Sequence, residues 1–254
     1  MDEEKTFDEK YAKYYDLFNS SKDYNKECAF LESIFDKHSK TKIRTILDLG
    51  CGTGMHDMQL VSQGYEVTGL DLSPEMIKIA NSRKKLGNIF VIGDMTNFNL
   101  KKQYDCCISM FSSIVYLNKN EQIKNCFNCV KKHLKSGGLF IIDCWNGLGV
   151  MHESPISRKK SVDISGMRIE RTSYPHLDAQ NHLNKVKFKV DIFSNGKLKD
   201  SYEEEHNCRF FFPQELRKYL EDAGFEILEI CKSYELGTKA DENVWNMVLI
   251  SRLR

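Results

Sequence analysis

The chain has 254 residues, enough for one α/β domain carrying an insertion or a small appendage and ample to bury a core. Lys and Arg number 37 against 36 Asp and Glu, a formal net charge of +1, so no global field directs the protein to nucleic acid or to a membrane surface. The start, Met1-Asp2-Glu3-Glu4-Lys5, is charged with no apolar run behind it, and no segment is apolar for long enough to span a bilayer. A cytoplasmic protein is expected.

Residues 1–40 are expected to form an N-terminal helical segment. A core over 41–150 then alternates strand and helix patterns, with strands at 44–49, 66–70, 89–92, 105–110 and 138–143 and helices at 55–63, 74–84 and 119–134. Near-continuous apolar strands separated by helices predict a parallel sheet covered on both faces. Pro74 behind Ser73 is a helix start, and Ser136-Gly137-Gly138 marks a helix exit. From about Val150 the pattern turns to β-branched and aromatic residues in three runs, 161–173, 183–194 and 198–211, with turns at Asp178–Asn181 and Ser194-Asn195-Gly196. These predict a three-stranded antiparallel meander inserted over 151–212. A helix between Pro213 and Gly224 and two strands, 226–233 and 244–253, complete the chain over 213–254. The fold class is therefore α/β, a mostly parallel sheet with an antiparallel β-meander insertion.

Nine cysteines, an odd count partly inside strand patterns, point to reduced thiols. Cys126, Cys129 and His133 have a metal-like spacing, but i, i+3, i+7 is also one buried helix face, and no second Cys pair sits at zinc-finger distance. No metal is expected.

The first strand runs into Asp48-Leu49-Gly50-Cys51-Gly52-Thr53-Gly54. Glycines at a strand-to-helix turn allow positive φ and let a ligand lie against the backbone at the helix N-terminus, where free N–H groups favour anions. The third glycine comes one residue earlier than the dinucleotide pattern G-x-G-x-x-G requires, and Met55 stands where that pattern has glycine. An NAD-dependent dehydrogenase is thereby disfavoured. The second strand ends at Asp71, about twenty residues past the first glycine, in register to accept ribose hydroxyls; the third ends at Gly93-Asp94-Met95.

This ordered set resembles motif I and its followers in class I S-adenosylmethionine (SAM)-dependent methyltransferases. With Tyr15-Asp16-Leu17-Phe18, Lys22-Asp23-Tyr24, His56 and Met110-Phe111-Ser112-Ser113-Ile114, it resembles more narrowly the sugar N,N-dimethyltransferases of macrolide biosynthesis, which act on dTDP-linked amino deoxysugars. The resemblance implies a Rossmann-like seven-stranded core, SAM as cofactor with S-adenosylhomocysteine (SAH) as product, and Asp94 on the adenine amino group. The implied cofactor set is Tyr14, Asp48, Gly50, Gly52 and Gly54 with Asp71, Leu72, Met76, Asp94, Met95 and Met110, the N-terminal segment lying over the site. Two departures bear on the acceptor: Asn19-Ser20-Ser21 replaces an aromatic and an arginine, and Asp143-Cys144-Trp145-Asn146 replaces Glu-Pro-Trp-Trp.

Methyl transfer from a sulfonium is an in-line displacement that needs positioning and desolvation, with aromatic faces near the methyl group. Tyr14, Tyr15 and Phe111 are candidates for that lining. An amine acceptor must be neutral, which a base within reach assists. The candidates are Tyr116, Tyr15 and His176, with His206 beside them; Arg209 is a candidate phosphate ligand or a salt-bridge partner. The expected function is methylation of a small molecule, foremost the amino group of a nucleotide-activated sugar. The alternatives are O- or N-methylation of another metabolite, such as a surface-polysaccharide precursor or its phosphate decoration, and a non-catalytic SAM-binding protein. The expected partners are a nucleotide- or phosphate-linked small molecule and a second copy in a homodimer, with no nucleic acid and no membrane.

Overall fold

A computed structural model describes residues 9–164 and 166–254. Residues 1–8 of the expected N-terminal segment lie outside the described residues. Two helices come first, α1 (Glu9–Phe18) and α2 (Tyr24–His38). Asp23 divides them by capping α2, its carboxylate accepting the Lys26 N–H at 3.0 Å.

The alternating core follows: β1 (Thr45–Leu49), α3 (Met55–Ser62), β2 (Glu66–Asp71), α4 (Pro74–Ser82), β3 (Asn88–Ile92), β4 (Tyr104–Ser109), a single 3₁₀ turn at Ser113–Tyr116, α5 (Asn120–His133) and β5 (Leu134–Trp145). Ser73 caps α4 as its sequence implies, its hydroxyl accepting the Met76 N–H at 3.3 Å. β1 pairs in parallel with β2 on one side and β4 on the other, so both its faces are covered. β5 is longer than the expected 138–143, because Leu134 already pairs with Tyr104 before the strand shifts register around Gly137 at φ +77°.

After α6 (Gly147–His152) comes an antiparallel sheet of four strands, β6 (Arg158–Ile164), β7 (Met167–Asp178), β8 (Leu183–Ser194) and β9 (Lys197–Arg209). Three were expected. The run read as one strand over 161–173 belongs to two, which flank Gly166 at φ +77° and pair with each other from Arg158↔Ser173 to Ile164↔Met167. α7 (Pro213–Ala223) then returns the chain to the main sheet and stops at Gly224, φ +97°. Three closing strands replace the expected two: β10 (Phe225–Lys232), β11 (Glu235–Lys239) and β12 (Asn246–Leu253). The short β11 folds back on β10 beyond Tyr234, which is left-handed at φ +65°. The main sheet runs β11-β10-β12-β5-β4-β1-β2-β3, seven strands of the expected core with β11 added at one edge.

Alternate residues of the central strands feed two cores. Leu47, Leu49, Phe140 and Leu249 pack under α5 and α7, with Phe127, Leu216 and Phe225; Ile46, Ile108, Ile141 and Ile250 pack under α2, with Leu31 and Ile34. α1 stays off both. Its Phe18 is fully buried among Ile169, Val190 and Ile192 of the antiparallel sheet, so this helix is fixed to the insertion. Cys126 and Cys129 lie on the buried face of α5, and His133 is used locally: its Nδ1 lies 2.7 Å from the Cys129 carbonyl and its Nε2 accepts the Leu100 N–H at 3.0 Å. All nine cysteines are buried free thiols.

Removing the Phe18 ring should empty this satellite core. Phe18→Ala is expected to cost about 3 kcal/mol, the low end for a buried phenylalanine. Urea unfolding of the variant against the wild type measures it, and a loss below about 1 kcal/mol would show that α1 is not anchored there.

Candidate active site

At the C-terminal ends of β1 and β4 the chain makes two unusual turns. After β1, Gly50, Gly52 and Gly54 all take positive φ, +75°, +56° and +76°. The three differ in what surrounds them. A Cβ on Gly50 would lie 2.5 Å from the Ser113 Cβ, and one on Gly54 would lie 2.7 Å from the Phe90 ring, so these two glycines allow close packing. A Cβ on Gly52 would meet nothing within 4 Å. Only Gly52 turns its bare side to open space, and only there does the backbone have room for a ligand against it.

The turn is held from behind. Asp71, at the end of β2, accepts the Gly52 N–H at 2.8 Å through Oδ2 and the Ser73 N–H at 2.9 Å through Oδ1. Burial pushes its pKa up, against the pull of these backbone bonds. From in front, Thr53 donates its hydroxyl to Asp16 of α1 at 2.7 Å, and Asp16 also pairs with Arg83 at 2.5 Å.

The second turn follows β4. Phe111 and Ser112 are consecutive non-glycine residues in the left-handed region, φ +53° and +59°, a costly conformation for side chains with a Cβ. Three bonds fix it. The Ser112 N–H donates to Asp143 Oδ2 at 3.1 Å, and the Ser113 hydroxyl reaches the carbonyls of Gly50 at 2.9 Å and Met110 at 3.0 Å. The outcome is a Phe111 ring left half exposed beside the glycine turn.

A cleft lies between the two turns, lined by Tyr15, Tyr24, Asp48, Gly52, His56 and Phe111, with Gly50, Thr53, Met110 and Ser113 at its margins. Of the expected cofactor set, the structure brings Asp48, Gly50, Gly52 and Met110 to this cleft. Asp71 stands just behind it, and Met95 reaches Gly50. Leu72 and Asp94 are exposed farther along the strand ends, and the Asp94 carboxylate accepts the Thr96 N–H at 2.7 Å. Met76 is buried against Tyr11 and Ala12 of α1. Tyr14 is a correction: on α1 it faces the Phe18 cluster, and Tyr15, the next residue around the helix, enters the cleft.

Of the acid–base candidates, Tyr116 and His206 meet: the Tyr116 hydroxyl is 2.8 Å from His206 Nδ1, and His206 Nε2 is 3.5 Å from Glu204 Oε1. His206 is buried against the rings of Tyr11 and Phe188, at 5.2 and 4.9 Å. Tyr116 stands three residues after Ser113 on one 3₁₀ turn, where i and i+3 side chains align, so it shares a face of that turn with Ser113, a residue at the cleft margin. Burial pushes its pKa well above the usual value. His176 is a second correction. It pairs with Lys185, whereas His206 pairs with Val186, so period-2 alternation puts His176 on the opposite, exposed face of the sheet. Arg209 is committed to Glu215 and to the Asn118 carbonyl, which answers the phosphate alternative in favour of a buried ion pair.

The sequence reading named Asp48 for the cofactor but left out the buried charges Asp57 and Glu27 under the cleft. Asp48 on β1 and Asp57 on α3 are almost fully buried, and Asp48 Oδ1 and both Asp57 oxygens have no partner among the described residues. Burial and the adjoining Asp57 push Asp48 well up, and burial pushes Asp57 up to about 7. Glu27 of α2 accepts from His56 Nε2 at 2.7 Å and pairs with Lys22 at 2.9 Å. Glu27 follows Asp23, the helix cap, by one turn, a spacing that places it under the same helix start as Lys22.

Known proteins share this chain's domain and fold. Residues 46–138 match a family model described as a methyltransferase domain. A dTDP-3-amino-3,6-dideoxy-alpha-D-glucopyranose N,N-dimethyltransferase of Streptomyces fradiae is 26% identical over 218 residues, 85% of this chain and 84% of that protein. Among solved structures, Streptomyces venezuelae DesVI superposes with a TM-score of 0.80 at 22% identity, covering 96% of this chain and 99% of that one. The sugar N-methyltransferase KedS8 from Streptoalloteichus gives 0.80 at 22% identity, covering 94% and 92%.

Two predictions test the cleft. Gly52→Ala places a methyl group in the open side at a strained φ; SAH affinity measured by calorimetry should fall at least tenfold, and an unchanged affinity would remove the ligand from this turn. For the carboxyl pair the sign is fixed by the raised values. Both groups bind a proton more tightly folded than unfolded, so their stabilising contribution is full below the unfolded carboxyl range near pH 4 and fades as pH rises through about 7. Asp57→Asn, which cannot ionise, should raise Tm at pH 8 by about 2–6 °C and by less at pH 5; a Tm–pH profile parallel to that of the wild type would contradict the pair. With a methyltransferase domain over residues 46–138 and methyltransferase relatives along its length, the chain is an enzyme that uses SAM.

Proposed function

We propose that the enzyme transfers the methyl group of SAM to an amine on a small, nucleotide-activated sugar. The observation that carries this reading is the Tyr116–His206 contact at 2.8 Å beside the cleft, backed by Glu204. A carboxylate near Nε2 favours the tautomer with a proton there, leaving Nδ1 to accept from the tyrosine hydroxyl. An ammonium approaching Tyr116 gives its proton to the phenol oxygen as the phenol proton passes to His206 Nδ1. The freed nitrogen lone pair then attacks the methyl carbon, the sulfur–carbon bond breaks, and the sulfonium becomes the thioether of SAH. The relatives named as dTDP-amino-deoxysugar N,N-dimethyltransferases support the acceptor class.

In this reading the cofactor lies across the ends of the parallel strands. Adenine sits by Asp94 and Leu72 at β3, and the ribose by Asp71 at β2. The sulfonium passes Gly52, with the rings of Tyr15 and Phe111 facing the methyl group. The antiparallel sheet forms the acceptor wall through His206, with Tyr11 of α1 packed against that ring.

Mass spectrometry of products after incubation with SAM and a panel of nucleotide-linked amino sugars tests the reading. Products heavier by one or two methyl groups are expected. SAH binding without any such product would move the acceptor to another metabolite, and absence of SAH binding would sink the cofactor site. On an active acceptor, Tyr116→Phe and His206→Gln should each lower kcat about a hundredfold, the scale of one proton-transfer catalyst, with SAH affinity unchanged.

A further inference from the structure

His206 sits in a box of rings. Tyr11 of α1 lies 5.2 Å away, Phe188 of β8 4.9 Å away and nearly perpendicular at 81°, and Tyr116 5.9 Å away. A side chain that touches neither His206 nor Tyr116 in this arrangement binds two of the three walls. Arg171, half-buried on β7, donates from Nη1 to the Tyr11 hydroxyl at 3.0 Å, and its guanidinium lies 4.8 Å from the centre of the Phe188 ring. It is also 4.8 Å from the Phe18 ring. The pairing explains the reach: Arg171 lies opposite Val190 and Ser173 opposite Phe188, on the face of the sheet that α1 covers.

Two simpler roles fit less well. Holding α1 to the insertion is already the work of buried Phe18 and of Lys160, which donates to the Phe18 carbonyl. Tyr11 is not a proton carrier either, since burial pushes its phenol up to about 12 against the pull of Arg171. What remains is orientation. The ring torsion of a histidine is broad and two-fold, so packing must decide which nitrogen faces which neighbour. Only a planar cation can stack on one ring while bonding a hydroxyl on the other.

We propose that Arg171 is a positioning residue of the acid–base pair, holding Tyr11 and Phe188 against His206 so that Nδ1 stays on the Tyr116 hydroxyl. The inference rests on the Tyr116–His206 reading above and deepens it. Tyr11 and Tyr15 are one turn apart on α1, so the docking that brings Tyr15 to the cofactor cleft also seats Tyr11 on His206. The other titratable groups facing the pair are Glu204 and Cys208 of β9 and Tyr15 of α1.

The test is nitrogen NMR of the protein labelled with ¹⁵N-histidine, at about pH 8, above the ordinary range of an imidazole. His206→Gln identifies the His206 signals by their loss. The wild type is expected to show one tautomer, with the proton on Nε2 and Nδ1 accepting. In Arg171→Met a second tautomer should become visible, at about a tenth of the first or more, the order that one neutral hydrogen bond decides. Where Arg171→Met does not fold, Tyr11→Phe, which removes the bond and keeps both rings, carries the same test. A folded variant with the wild-type His206 spectrum would reduce Arg171 to a structural part and overturn the assignment. A His206 ring already divided between two tautomers in the wild type overturns it with no variant needed. A wild-type proton on Nδ1 would instead bring down the acid–base reading itself.

Discussion

The left-handed passage from β1 into α3 sets the terms for everything near it. Three positive-φ residues in five can be built only from glycine at low cost, and two of the three are further pinned because Ser113 and Phe90 occupy the space a side chain would need. The turn therefore reaches into its neighbours. Gly50 lets the 3₁₀ turn after β4 close against β1, Gly54 lets the Phe90 ring of β3 slide beneath α3, and Asp71 gives its two oxygens to the backbone on either side. Three separate strand ends are brought to one height by this packing, and the cleft is the space that remains between them.

Around that cleft the interior changes character. The strands below it are dry, with Ile, Leu, Phe and Cys on both faces, whereas Asp48, Asp57, Glu27, Lys22 and Asp143 collect within the last turn or so above. Charged groups in low-dielectric surroundings cost energy unless each finds a partner, and here several do so only in part. Asp143 shows the compromise: burial pushes it up to about 6, while the Ser233 hydroxyl and the Ser112 N–H hold it down. Such a group contributes to holding Phe111 in its strained position, so the electrostatics and the backbone geometry of the site are two sides of one arrangement.

Much of this was legible from residues alone, and the misses have physical causes. Periodicity located the alternating core because strands buried on both faces cannot hide their apolar runs, and Ser73-Pro74 and Gly224 marked helix ends by local chemistry. The number of strands in the insertion was missed because Val162 and Ile169 belong to a single apolar run, with Gly166 the sole punctuation. His176 and His206 were indistinguishable as residue types; strand register, a property of pairing across the sheet, put them on opposite faces. Tyr14 and Tyr15 are adjacent on a helix, and which of the two turns to the cleft depends on where Phe18 docks, a tertiary contact. Asp57 and Glu27 had no signal because solvated charges are the ordinary expectation on helices, and only the packed structure shows them enclosed.

The cysteines carry a different kind of meaning. One lies on α2, one in the glycine turn, two on β4, two on α5, and one each on β5, β9 and β10, all enclosed, and for eight of the nine burial pushes the thiol pKa upward. A thiol that is shut away and protonated reacts with alkylating reagents only when the structure around it opens. The enzyme thus has a chronometer distributed through its layers. The rate at which each sulfur becomes reactive reports how often that layer breathes, from the β9 edge of the insertion to the centre of the main sheet, with no label added to the native chain.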